Sequence, residues 1–204
     1  MMRVVVVSLV GVMVAGIVPG HAQSAWDYIT VFNRQGETDF GEQMAAVRGL
    51  VQMGEAAVGP LLTVLNHQNP NVRRYAALAL GRLSARRAVD ELVNLLQDPE
   101  AEVRGTAAEA LGNIGDLRAV GPLLAMLRRE DEMDVRGAAV GLGALQAKAA
   151  VAPLIGLLQS ENWEIQWRAC VALGKIGDAQ AAEPVAALRQ AQNAVVAGCA
   201  VWAV

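Results

Sequence analysis

Histidine and cysteine are scarce: the 204-residue chain has two of each. His21 falls within the apolar N-terminal stretch, which leaves His67 alone for chemistry in the remainder. A transition-metal site needs three or four converging ligands, so no metal centre is expected. Aromatic residues make up only 4% of the chain. A core must therefore be built from Ala, Val and Leu, which suits closely packed helices better than a strand sandwich. No excess of one charge exists either, with 17 basic against 20 acidic residues mixed along the sequence. Nucleic-acid binders concentrate basic surface, so no nucleic-acid partner is expected. Neither a phosphate-cradling glycine loop nor a G-x-S-x-G elbow occurs, and no catalytic residue or cofactor is expected. The acidic run Asp131, Glu132, Asp134 lacks the loop pattern of a calcium site and reads as a solvated loop.

One long apolar run is present, at the N-terminus. Arg3 precedes Val4 to Val18, Pro19-Gly20 break the run, and Gly20-His21-Ala22 places small residues where a signal peptidase reads. A membrane anchor normally needs nearer 20 apolar residues. The run therefore predicts a cleaved signal peptide over residues 1–22, and a periplasmic or secreted protein that meets the membrane only through an uncleaved leader.

Beyond it the sequence repeats. The pairs Leu80-Gly81, Leu111-Gly112, Leu142-Gly143 and Leu173-Gly174 recur at a step of 31 residues. Pro60, Glu91, Pro122, Pro153 and Pro184 keep the same step, each followed by an apolar segment. Two independent markers with one period indicate an array of similar units.

Within a unit the pattern is helical. Val103, Ala107, Ala110, Leu111 and Ile114 share one helix face. Asp98-Pro99 reads as an N-cap followed by proline in the first turn, and Gly115 ends the helix. A second helix is expected from about Leu117 to Arg128, with Pro122 near its start, where a missing N–H matters least. One unit is thus helix A, a turn, helix B and a short loop. Ala76-Ala77, Ala107-Ala108, Ala138-Ala139 and Ala169-Cys170 put small side chains where successive A helices approach. The periodic glycines read as helix terminators. Such helix pairs bury their apolar stripes only by stacking, giving an all-α, right-handed α-α superhelix.

The strings Asn71-Val72-Arg73-Arg74-Tyr75-Ala76-Ala77-Leu78-Ala79-Leu80-Gly81 and Glu102-Val103-Arg104-Gly105-Thr106-Ala107-Ala108-Glu109-Ala110-Leu111-Gly112-Asn113-Ile114-Gly115-Asp116 resemble the HEAT-like repeat first associated with phycobilisome lyases. The resemblance covers roughly residues 41 to 204. It implies a structural Arg–Asp ladder between units, with arginines at Arg73, Arg104 and Arg136, Gln166 breaking the series, and acids at Asp116 and Asp178.

The ends depart from the period. Residues 23–38 carry Trp26, Tyr28, Ile29, Val31 and Phe32 and read as an N-terminal cap on the repeat domain 39–204. Four full units run from Asn69 to Gln190. Residues 191–204 repeat the start of another helix A, which either docks as a bare helix or belongs to a longer array. Cys170 and Cys199 occupy non-equivalent positions, and Cys170 among alanines reads as a buried free thiol.

Together these features predict a non-catalytic scaffold that binds a protein or peptide on its concave, B-helix side. The outward positions there include Thr63, Asn66, Asn94, Gln97, Arg118, Arg128, Gln159 and Gln190, a narrow and mostly uncharged strip. Trp163 and Trp167, four apart on the fourth helix A, and Trp202 beyond them read either as interface anchors or as mutual packing. An accessory subunit of a lyase-like enzyme is the alternative, and so is a piece of a larger envelope protein.

Overall fold

The computed structural model describes residues 24–34 and 40–202. The expected leader 1–22, the chain end at Val204 and the side chain of Trp202 lie outside the described residues.

The described residues form twelve α-helices and no strand: α1 Ala25–Phe32, α2 Phe40–Met53, α3 Glu55–Thr63, α4 Pro70–Arg82, α5 Val89–Leu95, α6 Ala101–Ile114, α7 Val120–Met126, α8 Glu132–Ala144, α9 Val151–Leu157, α10 Trp163–Ile176, α11 Ala182–Ala187 and α12 Ala194–Trp202. From α4 onward, long A helices (α4, α6, α8, α10, α12) alternate with short B helices (α5, α7, α9, α11). The whole is a right-handed α-α superhelix of helix pairs. Each B helix from α5 on is entered through one 3₁₀ turn, so Pro122, Pro153 and Pro184 sit at the third residue of their α-helices. A proline there displaces no intrahelical hydrogen bond.

Loop chemistry sets the start of every A helix. The N-cap positions Asn69, Glu100, Asp131 and Asn162 fall at the repeat step. Asn69, Asp131 and Asn162 accept hydrogen bonds from backbone N–H groups of the first turn, and Asn193 does the same for α12. Asp98, expected as the cap of α6, is displaced from that role by Glu100 and serves elsewhere.

Stacking of the A helices makes the core. Ala76, Ala77, Ala107, Ala108, Ala138, Ala139, Ala169 and Cys170 are all buried. The periodic glycines are not terminators; Gly81, Gly112 and Gly143 lie inside their helices and mark the closest backbone approach. A Cβ on Gly112 would stand 2.6 Å from the Cα of Gly141, and those on Gly81 and Gly143 would stand 2.7 and 2.8 Å from Ala110 and Ala172. The helix-ending position is three residues later. Gly115 and Gly177 adopt the left-handed conformation there, whereas Ser84 and Gln146 hold φ 50° at the equivalent points, a conformation that costs a side-chain-bearing residue free energy.

At the N-terminal side, α1 packs against α2, α3 and α4. Ile29 and Phe32 are buried, and Phe32 stacks on Tyr75 with ring centroids 5.1 Å apart. Tyr75 in turn donates its hydroxyl to Gln43 of α2.

The ladder exists with different acids from those expected. Arg73 clasps Asp98 through Nε and Nη2, both at 2.7 Å, while Nη1 donates to the carbonyls of His67 and Gln68. Arg104 repeats the arrangement on the carbonyls of Asp98 and Pro99, with Asp134 at 2.6 Å and Asp131 at 3.1 Å. Each acid lies in or just after the loop entering the next A helix, so one clasp joins two units. Hydrogen bonding to its acid raises the pKa of each guanidinium above its ordinary value. Asp134, read as part of a solvated loop, is buried and also receives Arg129. Asp116 and Asp178 instead cap the 3₁₀ turns that open the B helices. Arg136 stands one residue off the ladder, because the step from Arg104 falls on Val135. It belongs to an outer row in which Arg74 pairs with Glu102 at 2.6 Å and Arg136 with Glu164 at 2.7 Å.

Cys170 and Cys199 form a disulfide, with Cα atoms 6.4 Å apart. That separation lies in the range a disulfide spans. The free thiol expected for Cys170 fails for a geometric reason. Residues separated by 29 meet across an A–A interface, as Gly112 meets Gly141, and Cys170 and Cys199 have that separation.

Candidate partner-binding surface

The B-helix layer presents two parallel rows. The sixth residues of α5, α7, α9 and α11 are Asn94, Ala125, Gly156 and Ala187, with Thr63 one step earlier in α3. Three residues farther along each segment stand Asn66, Gln97, Arg128, Gln159 and Gln190. All of these positions are exposed. The second row starts from a recurring backbone geometry: the N–H groups of Gln97, Arg128 and Gln159 donate to the carbonyls of Asn94, Ala125 and Gly156 at 3.0 to 3.3 Å. Neither row contains an acid.

Not every polar group in the rows is free. Thr63 spends its hydroxyl proton on the carbonyl of Pro60 in its own helix, at 2.7 Å. Gln97 accepts from Arg129 at 2.7 Å, which fixes its carboxamide and leaves the NH₂ group outward. Among the described residues, the side chains of Asn66, Asn94, Arg128, Gln159 and Gln190 have no hydrogen-bonding or ion-pair partner. They are open donors, and the amides are open acceptors as well.

Arg118 differs from the other expected contacts. Its guanidinium forks onto Asp116 at 3.0 and 3.1 Å and reaches Asp90 at 2.9 Å. That bonding holds the Asp116 carboxyl below its ordinary 3.8 and raises Arg118. The residue joins two B helices and has little left for a partner.

A shallow cleft of about 380 Å³ opens where the loops after α3 and α5 face each other. Asn66, His67, Gln68, Asn94, Gln97 and Pro99 line it, with the Arg73–Asp98 clasp also in its wall. His67 Nδ1 accepts from the N–H of Asn69, so the ring is held by its own loop. As the lone histidine outside the N-terminal stretch, His67 had no expected role. Its position one after Asn66, in the amide row, was the available signal.

Trp163 and Trp167 lie in the A layer and are not brought together with the B-helix rows. Trp163 is 46% exposed. Trp167 is half-buried, with the Arg168 guanidinium 4.7 Å above its ring, a cation–π arrangement. Trp167 occupies the outer-row position where Arg74 and Arg136 form their inter-unit ion pairs. A second cleft, about 220 Å³, lies on this side, where Arg74, Arg136 and Arg168 are balanced by Glu102 and Glu109. Among the described residues no cluster of His, Cys, Asp and Glu could hold a metal ion, and no helix is long and apolar enough to cross a membrane.

Comparison with known proteins agrees with this architecture. The family model for HEAT repeats matches residues 58–141 and 137–204. No curated protein matches the chain. Among solved structures, it is similar to the complex of CpcE and CpcF of phycocyanin lyase from Nostoc sp. PCC7120, at 22% identity and TM-score 0.66, over 94% of this chain and 79% of that one. An engineered protein gives 24% identity and TM-score 0.61, over 87% and 94%. A designed armadillo repeat protein in complex with the peptide (KR)4 gives 20% and 0.58, over 89% and 98%. At these identities the structural likenesses show the fold. With the family match extending over most of its length, the chain belongs to the HEAT-repeat family.

Proposed function

We propose that this protein is a non-catalytic scaffold that holds an extended protein or peptide segment along the B-helix rows. The observation that carries the reading is the set of partner-free amides on exposed positions, Asn66, Gln159 and Gln190 at the repeat step in the second row and Asn94 in the first. Neighbouring helices pack about 8–10 Å apart, and an extended chain advances about 3.3 Å per residue. Each unit therefore spans about three residues of a bound strand, and carboxamides can pair with its peptide groups. A designed armadillo protein of similar fold holds a basic peptide. The rows here carry no acid and include Arg128, so a basic peptide is a poor match and a neutral or mildly acidic one a good match. Residues 1–22 then act as the leader, 23–38 as the cap and 39–204 as the binding array. The Cys170–Cys199 bond supports an exported location, because such bonds persist in oxidising compartments.

The test is capture from an envelope extract with three forms of the protein. Wild type and Trp163→Ala/Trp167→Ala retain the same polypeptide, and Asn94→Ala/Gln97→Ala/Gln159→Ala loses it while melting normally. Equal capture by the triple variant contradicts the reading.

An accessory-subunit role is the second reading, favoured by the likeness to a lyase complex. It requires that the captured partner be an enzyme whose turnover rises when this chain is added.

A further inference from the structure

The A–A interfaces are fastened differently along the array. Between α4 and α6, Arg73 clasps Asp98 and Arg74 pairs with Glu102. Between α6 and α8, Arg104 bridges to Asp131 and Asp134. Between α8 and α10, Arg136 holds Glu164, and Gln146 donates to the carbonyl of Lys175 at 3.2 Å. At the α10–α12 interface both charged rows run out. Gln166 occupies the inner position and bonds only to the carbonyl of Leu158, behind it in its own unit. Trp167 and Val195 occupy the outer pair. Among the described residues, no ion pair or side-chain hydrogen bond links α10 to α12. The Cys170–Cys199 bond is the specific fastening there.

We infer that this disulfide is a reducible clasp that decides whether α12 stays docked on α10. Alone, α12 has little to hold its shape. Its residues include three valines and Gly198, which are weak helix formers. Val196, Cys199 and Ala200 are buried, while Val195 is 49% and Val201 69% exposed. Its apolar grip is therefore confined to a few small side chains. The positions equivalent to Val201 in α4, α6, α8 and α10 are Ala77, Ala108, Ala139 and Cys170, all buried.

The chemistry is thiol–disulfide exchange with a dithiol. A thiolate of dithiothreitol attacks the Sγ of Cys199, the less buried of the two residues. A mixed disulfide forms and Cys170 leaves as a thiolate that takes up a proton. The second thiol of the reagent then displaces Cys199, which is also protonated. Two electrons pass from the dithiol, which ends as a cyclic disulfide, to two protein thiols. Released from its tether, α12 undocks and uncovers the α10 face around Cys170.

Hydrogen exchange on the full chain, with and without dithiothreitol, tests this directly, with intact mass after maleimide labelling to count thiols. Protein prepared without reductant should carry no free thiol. On reduction, amides of 194–202 should lose at least tenfold in protection, and those of α4, α6 and α8 should be unchanged. Cys170→Ala/Cys199→Ala should show the reduced pattern without reagent and no response to it. Unchanged protection of 194–202 in fully reduced protein overturns the inference, as do two free thiols in the untreated chain.

Discussion

Replacing Gly112 by Ala separates backbone contact from helix propensity as the reason for the periodic glycines. A methyl at Gly112 would lie 2.6 Å from Gly141 Cα and 2.9 Å from its carbonyl oxygen. Both are backbone atoms of the next A helix, so no side chain can swing aside. Restoring ordinary contact requires α6 and α8 to part by nearly 1 Å, and gaps of that size forfeit a quarter to a half of the dispersion well along the seam. Overpacking of this kind costs about 1–3 kcal/mol, and a rigid backbone neighbour puts the cost at the upper end. Against it stands the gain of about 1 kcal/mol from replacing a helical glycine by alanine. The net is a loss of about 2 kcal/mol, or a fall in midpoint of roughly 4–8 °C for a chain of this size. Gly156, exposed in α9 with nothing within 4 Å of its added Cβ, is the matched control. There Ala keeps the propensity gain alone and should raise the midpoint by roughly 2–4 °C. Paired thermal melts followed by circular dichroism decide the matter. Gly112→Ala melting at or above wild type refutes the close-contact account.

Three other predictions follow from single sites. Ser84 holds φ 50°, so Ser84→Gly should stabilise by about 0.5–1 kcal/mol in urea titrations, the left-handed strain outweighing the added chain entropy; unchanged stability contradicts this. Arg73→Met strands the buried Asp98 carboxylate and should cost about 3 kcal/mol, while Arg73→Met/Asp98→Leu should recover most of that loss in the same assay. Asp116 is held below 3.8 by Arg118, so whatever stability the fork adds is present above pH 3.8 and is lost as pH falls through the lower folded-state value. NMR titration should show the Asp116 midpoint moving up toward its ordinary value in Arg118→Ala, with the backbone N–H of residue 118 still holding it below that value, and no movement would mean that the fork does not persist in solution.

The period was legible because two unrelated markers, Leu-Gly and the B-helix proline, keep one step. The same step found the exposed amide rows, since a residue outward in one unit is outward in all. It could not show which outward residues are already engaged. Arg118 and Thr63 look like their neighbours in sequence, yet one is spent on Asp116 and Asp90 and the other on its own helix. The ladder acids were misplaced because a within-unit register says nothing of which loop the next helix brings near Arg73. The 29-residue relation across interfaces carries that information. Applied to Gly81 with Ala110 and Gly112 with Gly141, it pairs Cys170 with Cys199 and reassigns the periodic glycines from helix ends to helix contacts.

Selection of a random-peptide display library on the immobilised protein tests the central claim most directly. The account predicts enriched extended sequences without net positive charge, whose synthetic versions bind wild type and Trp163→Ala/Trp167→Ala alike. They should bind at least tenfold more weakly to Asn94→Ala/Gln97→Ala/Gln159→Ala, since three amide contacts at about 0.5–1.5 kcal/mol each are lost. Enriched peptides indifferent to the triple substitution, or no enrichment at all, would contradict a polypeptide-binding B-helix face.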